Sequence, residues 1–128
     1  MNTKKIWANL AVTDLDRTTK FYTELGCKPN GSSNELTSFI FGENNFIIHF
    51  FLKDILASNT KVEIGDPESS NEVVFTLSAE TREEVDNWAE EVEKAGGKII
   101  VPPEEFGKGY YGFIFADPDR YRFNVFCM

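Results

Sequence analysis

The sequence predicts an α+β fold made of the same unit twice, each unit reading strand, helix, then three strands. Three observations carry this. Two segments of helical periodicity each end on glycine, and each follows a strand of alternating character. The triplet Phe-Ile-Phe also occurs at 39–41 and again at 113–115, both times as the first arm of a hairpin.

In the first unit, "IWANLAVT" reads as a strand. Thr13, with Asp16 three residues on, makes a helix N-cap of capping-box type. Leu15, Phe21, Tyr22 and Leu25 form the apolar stripe, and Gly26 ends it as a C′ glycine. A short strand near Lys28 follows, then "LTSFIFG", a turn at Glu43-Asn44-Asn45, and "FIIHFFL". The second unit begins with "EVVFTLSAE", and Thr81 with Glu84 is a full capping box. Val85, Trp88, Ala89 and Val92 fall at i, i+3, i+4 and i+7, and Gly96-Gly97 stops the helix. "KIIV", "GFIFA", a turn at "DPDR" and "YRFNVFCM" complete it.

A βαβββ unit covers one sheet face with its single helix and leaves the other bare, so two units are expected to pair. The expected architecture is one domain over 1–128: module 1 at about 1–52, a connection at about 53–71 with a short helix at its start, and module 2 at about 72–128. A chain of 128 residues is long enough to bury a core.

Composition removes several function classes. There are 21 acidic against 13 basic side chains, for a net charge of −8. That disfavours nucleic acid and anionic membrane surfaces as partners. The acids gather in "ETREEVDNWAEEVEKAG", read as a solvated helix face. No stretch approaches the roughly 18 to 20 apolar residues that span a bilayer. The N-terminus has lysines but no apolar run of signal-peptide type. Cys27 and Cys127 are too few for a disulfide framework, and neither sits in a metal-type spacing. A cytoplasmic protein is the expectation.

Paired βαβββ units, with "AVTDLDRTTKFYTELG" in the first half and "FADPDRYRFNVF" at the end, resemble the vicinal oxygen chelate superfamily. That group includes lactoylglutathione lyase, extradiol dioxygenases, and fosfomycin- and bleomycin-resistance proteins. The likeness covers nearly the whole chain. It implies that the modules curl into a cup-like mixed sheet with helices outside and the site inside. The modules either close on each other within the chain or exchange with a second subunit, and a homodimer is expected.

Strand alternation sorts residues by face. Ala8, Leu10 and Val12 suit the helix side of the first strand, leaving Trp7, Asn9 and Ala11 to the cup. Phe46, Ile48 and Phe50 go to the helix side of the fourth, leaving Ile47, His49 and Phe51. In the second module Val74, Thr76 and Ser78, then Arg122, Asn124 and Phe126, face the cup. His49, the only histidine, and Asn124 are pseudo-symmetric counterparts.

The resemblance also implies a metal site with one ligand from the first and last strand of each module. Alignment puts those positions at Trp7, His49, Val74 and Asn124. Indole cannot ligate, valine offers nothing, and a neutral amide is a poor ligand. A register shift of two would substitute Asn9 or Thr76, neither of them strong. The expectation is therefore no metal, no cofactor and no assigned catalytic residue. Cys27 and Cys127 lack a base, and "FGKGYYG" is not a phosphate loop. Glu104-Glu105 reads as solvated loop, and the 101–112 segment as a lid or plain connection.

The leading reading is a small-molecule-binding protein, with Trp7, Asn9, His49, Phe51, Thr76, Tyr110, Tyr111, Arg122 and Asn124 as candidate ligand contacts. Bleomycin-resistance proteins, which sequester a drug unchanged, supply the precedent. The alternative is an enzyme of the same superfamily, lyase or dioxygenase-like, using His49 as general base or residual metal ligand. A third reading is a module that acts through its surface on a partner protein.

Overall fold

The computed structural model describes residues 1–128. Its elements run β1 (Trp7–Val12), α1 (Leu15–Glu24), β2 (Lys28–Ser32), β3 (Leu36–Phe41), β4 (Phe46–Leu52), α2 (Lys53–Thr60), β5 (Phe75–Ser78), α3 (Arg82–Lys94), β6 (Lys98–Phe106), β7 (Tyr110–Ala116) and β8 (Arg122–Cys127). Two compact units divide the chain at Gly65/Asp66. Each is a βαβββ module with its own four-stranded sheet, ordered β1-β4-β3-β2 in the first and β5-β8-β7-β6 in the second. In both, the first and last strands pair parallel and the remaining pairs are antiparallel. The α+β class and the repeated unit expected from the sequence are present.

The helix ends show why the repeat was readable. After α1, the Cys27 N–H reaches Tyr22 O and the Gly26 N–H reaches Thr23 O, both at 3.0 Å, with Gly26 at φ +82°. After α3, Gly97 N–H to Val92 O (2.9 Å) and Gly96 N–H to Glu93 O (3.2 Å) repeat the motif. Both are Schellman closures, which need the left-handed conformation that glycine adopts without a Cβ clash. At the other end of α3, Thr81 Oγ1 accepts from the Glu84 N–H at 3.0 Å, as expected. The Glu84 carboxylate, however, accepts from the Glu80 N–H at 3.3 Å and not from the cap residue, so the expected capping box is only half formed.

The start of α1 differs. Asp14, not Thr13, is the cap: its Oδ1 accepts from the Arg17 N–H at 3.0 Å. A carboxylate there also faces the positive end of the helix dipole. Thr13 instead accepts from the Arg17 guanidinium at 3.1 Å.

Each helix seals one face of its sheet. Phe21 and Tyr22 of α1 are fully buried, and the Tyr22 ring stacks on Phe50 with centroids 4.6 Å apart. Thr19 Oγ1 donates to Thr37 Oγ1 at 2.8 Å, fixing α1 over β3. In the second unit α3 buries Val85, Ala89 and Val92, and Phe113, Phe115 and Phe123 are likewise fully buried. Phe115 and Phe123 stack at 5.2 Å. Each such side chain contributes roughly 1.5–3 kcal/mol by leaving water.

Residues 101–112 are neither lid nor loop over most of their length. β6 runs to Phe106, through Pro102 and Pro103, and pairs with β7 until a turn at 107–109. Two prolines fit because β6 is a sheet edge, and the register shifts between Ile99 and Val101 and again before Glu104. Glu104 and Glu105 are therefore strand residues, and Glu105 pairs with Arg82 of α3 at 2.9 Å. No helix is long and apolar enough to cross a membrane.

Candidate functional site

With α1 sealing the face that holds Phe39, Phe41, Ile48 and Phe50, alternation turns Trp7, Asn9, Ser38, Ile47, His49 and Phe51 the other way. Register places Asn9, His49 and Ser38 in one row across β1, β4 and β3. Ser38 Oγ lies 2.8 Å from His49 Nδ1, and Asn30 Nδ2 of β2 donates to the same hydroxyl at 3.1 Å. Ser38 is 2 % exposed, so this bond is shielded from water. Trp7 and Phe51 flank the imidazole edge-on, both with centroids 6.1 Å away. The result is a rigid imidazole with Nδ1 engaged, between two aromatic walls. Trp7 remains 51 % exposed.

The second sheet presents a different set on the face turned from α3. Thr76 and Asn124 are register partners, and Asn124 Nδ2 donates to Thr76 Oγ1 at 3.3 Å. Two residues along β8 in either direction stand Arg122 and Phe126. Phe126 meets Phe106 edge-on at 5.0 Å and Tyr110 at 6.5 Å. Gly112 makes this cluster possible. A Cβ there would sit 2.3 Å from the Phe126 ring and 1.9 Å from Val125 O.

Eight of the nine sequence-derived candidates thus lie on the faces turned from α1 and α3. Tyr111 is the exception. It follows Tyr110 on a strand, so it points to the opposite face, where its hydroxyl donates to Asp86 of α3 at 2.6 Å and Arg82 sits 4.8 Å over its ring. That hydrogen bond, together with the nearby negative charge, pushes the Tyr111 phenol above its ordinary pKa. It ties helix to sheet. Cys27 is also set apart, burial raising its thiol to about 11.

Register sets the aligned ligand positions in different rows. The lateral neighbours of His49 and Asn124 are Asn9 and Thr76, not Trp7 and Val74, and Val74 precedes β5. The donors in the two rows are then one imidazole, hydroxyls and amides. No group of three or more His, Cys, Asp and Glu is gathered anywhere in the chain. Neither row by itself fits the divalent metal that the family resemblance implied. Ser38 and Asn30 were missed by sequence reading. The available signal was Ser38 as the polar residue inside "LTSFIF", two positions before an apolar one on the same face.

Comparison with known proteins agrees with this architecture. A hypothetical protein from S. aureus is 27% identical and superposes with a TM-score of 0.87, covering 100% of this chain and 96% of its own. A glyoxalase-related enzyme from Fulvimarina pelagi reaches the same TM-score of 0.87 at 20% identity over 98% and 89% of the two chains. A lactoylglutathione lyase from Agrobacterium tumefaciens is 18% identical with a TM-score of 0.71, over 98% and 94%. No curated protein matches the sequence. The family model for the Glyoxalase/Bleomycin resistance protein/Dioxygenase superfamily matches residues 6–125. That span takes in both modules, from the strand before α1 to the row that holds Asn124, and the chain belongs to this superfamily.

Proposed function

We propose that the protein binds a small, partly aromatic organic molecule on the sheet faces turned from its helices, without a metal ion. The single observation that carries this is the row Asn30–Ser38–His49, hydrogen-bonded at 3.1 and 2.8 Å and walled by Trp7 and Phe51. Aromatic surface with a few fixed polar groups is the usual make-up of a small-molecule site. The two rings supply stacking area at little entropic cost, while Asn9 and the free side of the imidazole set orientation. The homodimer and cytoplasmic setting expected from the sequence belong to this proposal.

A thermal-shift and NMR screen of planar aromatic compounds tests it. Binders are expected to move the Trp7, His49 and Phe51 resonances, and Trp7→Ala to weaken them about tenfold, in line with the loss of one aromatic wall. A broad screen that moves none of these resonances would remove the reading. Stoichiometric Ni²⁺, Zn²⁺, Fe²⁺ or Mn²⁺ bound by wild type and lost in His49→Ala would remove its metal-free part.

A second reading rests on the Ser38–His49 bond. With Nδ1 held by a shielded hydroxyl, the ring orientation is fixed and Nε2 is left to take or give a proton at a bound substrate. Turnover of a screened ligand, abolished in His49→Ala while binding persists, would favour this enzyme reading over plain sequestration.

A further inference from the structure

The second sheet carries an arrangement that the binding proposal does not use. Register places Lys98 of β6, Ala116 of β7 and Arg122 of β8 in one row. Ile99 and Phe123, one residue away from the two cations, pair with Phe115 in the α3-sealed layer. Lys98 and Arg122 therefore stand on the face turned from α3, about 10 Å apart at their Cα atoms, two strand spacings. Between them Ala116 presents only a methyl group.

Neither cation is neutralised. The chain has 21 acidic side chains, and they recruit other bases: Glu24 takes Lys20, Glu105 takes Arg82, and Asp66 and Glu68 take Arg120. Lys98 and Arg122 have no ion pair and no side-chain hydrogen bond. Arg122 is half-buried, where an unpaired guanidinium is more costly than at an open surface. The row beside it offers further donors. Asn124 spends one N–H on Thr76, keeping its second N–H, and the Thr76 hydroxyl hydrogen is not used in that bond.

The face is also graded along β8. Four residues on from Arg122, about 13 Å at strand rise, lies the Phe126–Phe106–Tyr110 cluster. Glu104 shares the Phe126 row through Gly112. Cations at one end and a carboxylate beside aromatic rings at the other give an elongated guest one favourable direction.

We propose that Lys98 and Arg122 form an anion subsite for the head group of an elongated, partly aromatic ligand, carboxylate or phosphate, whose apolar body runs past Asn124 to Phe126. The proposal rests on the small-molecule reading above and narrows it to anionic ligands. Arg122 supplies a planar fork that matches either anion bidentately, and Lys98 supplies a point charge from the opposite side. The overall acidity of the chain would then act against non-specific anions and leave this local pair to select.

The test compares four probes with one body: 4-phenylbutanoate, 4-phenylbutyl phosphate, 4-phenylbutanamide and 4-phenylbutylammonium, titrated into ¹⁵N-labelled wild type, Lys98→Gln, Arg122→Gln and Arg122→Lys. Spectral dispersion shows that each variant is folded. An anionic probe is expected to bind about tenfold tighter than the amide, the ratio one charge-assisted hydrogen bond supplies. Shifts should fall at residues 98, 114–116 and 122–126. Arg122→Gln should erase that advantage, Lys98→Gln should reduce it, and Arg122→Lys should retain part of it. The stronger of carboxylate and phosphate identifies the head group. Equal binding of all four probes, or an advantage untouched by both Gln variants, overturns the anion subsite while leaving small-molecule binding standing. So does tightest binding of the ammonium. Binding confined to the Trp7–His49 face overturns it too, and no binding of any compound to either face overturns both proposals.

Discussion

In the first sheet the row through position 49 reads Asn9, His49, Ser38; in the second the matching row reads Thr76, Asn124, Ile114. One row towards the start of β4 or β8, Trp7, Ile47, Ile40 and Lys28 match Arg122, Ala116 and Lys98. One row the other way, Ala11, Phe51 and Leu36 match Ser78, Phe126, Gly112 and Glu104. The backbone pairing is common to both, and the chemistry is not. The first sheet places a neutral polar ladder between aromatic walls, and its one lysine, Lys28, is held by Asn44 at 3.1 Å. The second leaves two cations open and moves its aromatics to the far end. A duplicated scaffold thus keeps its core side fixed by packing and lets the other face diverge.

The sharpest way to break the comparison is at the Gly112/Leu36 pair. Gly112→Ala forces a Cβ into Val125 O and the Phe126 ring. It should cost about 3 kcal/mol, the upper end of ordinary overpacking. Leu36→Ala at the matching place, half-buried against Phe51, should cost about 1 kcal/mol. Equilibrium denaturation in urea checks both, and similar losses would mean that the two rows are not built differently.

Next comes Ser38→Ala, which removes the hydroxyl that Asn30 and His49 share. A loss of about 1 kcal/mol is expected. Imidazole ¹⁵N shifts should show Nδ1 of His49 released, with no comparable change for a Thr76→Val substitution beneath Asn124. An unchanged imidazole spectrum would deny the ladder its role.

The smallest effect belongs to the link between helix and second sheet. The Tyr111 phenol is raised by its bond to Asp86, so its contribution is complete below the unfolded pKa near 10 and disappears as pH rises through the folded value. As pH rises above about 10, wild type should lose its melting-temperature advantage over Tyr111→Phe. A gap that widened with pH would contradict the assigned hydrogen bond.

Repetition made the fold legible. Gly26 and Gly96-Gly97, the two Phe-Ile-Phe arms and the Thr81 cap are local signals, and each acts through backbone conformation or burial within a few residues. Alternation then sorted Trp7, His49, Arg122 and Asn124 by face. What failed depended on partners distant in sequence. Pro102 and Pro103 read as loop because nothing local shows that their strand is an edge. Tyr111 read as a site residue because its partner, Asp86, is 25 residues away. Asp14 outcompeted Thr13 by one residue, a margin that local sequence does not resolve. Lys98 and Ser38 gained meaning only from register, which no single strand specifies.

The β2 edge of the first sheet and the β6 edge of the second carry one more consequence. β2 interrupts its pairing between Pro29 and Ser32, with all five of its residues exposed, and β6 breaks register twice around Pro102-Pro103. A smooth strand edge invites a foreign strand to dock, and proline and bulges are the usual protection. Both edges are thus poor templates for cross-β growth, although the second lies along a nine-residue strand that begins with Ile99, Ile100 and Val101 behind its lysine. Exchanging Pro102 and Pro103 for valine would leave the core untouched and turn a guarded margin into a seed for aggregation.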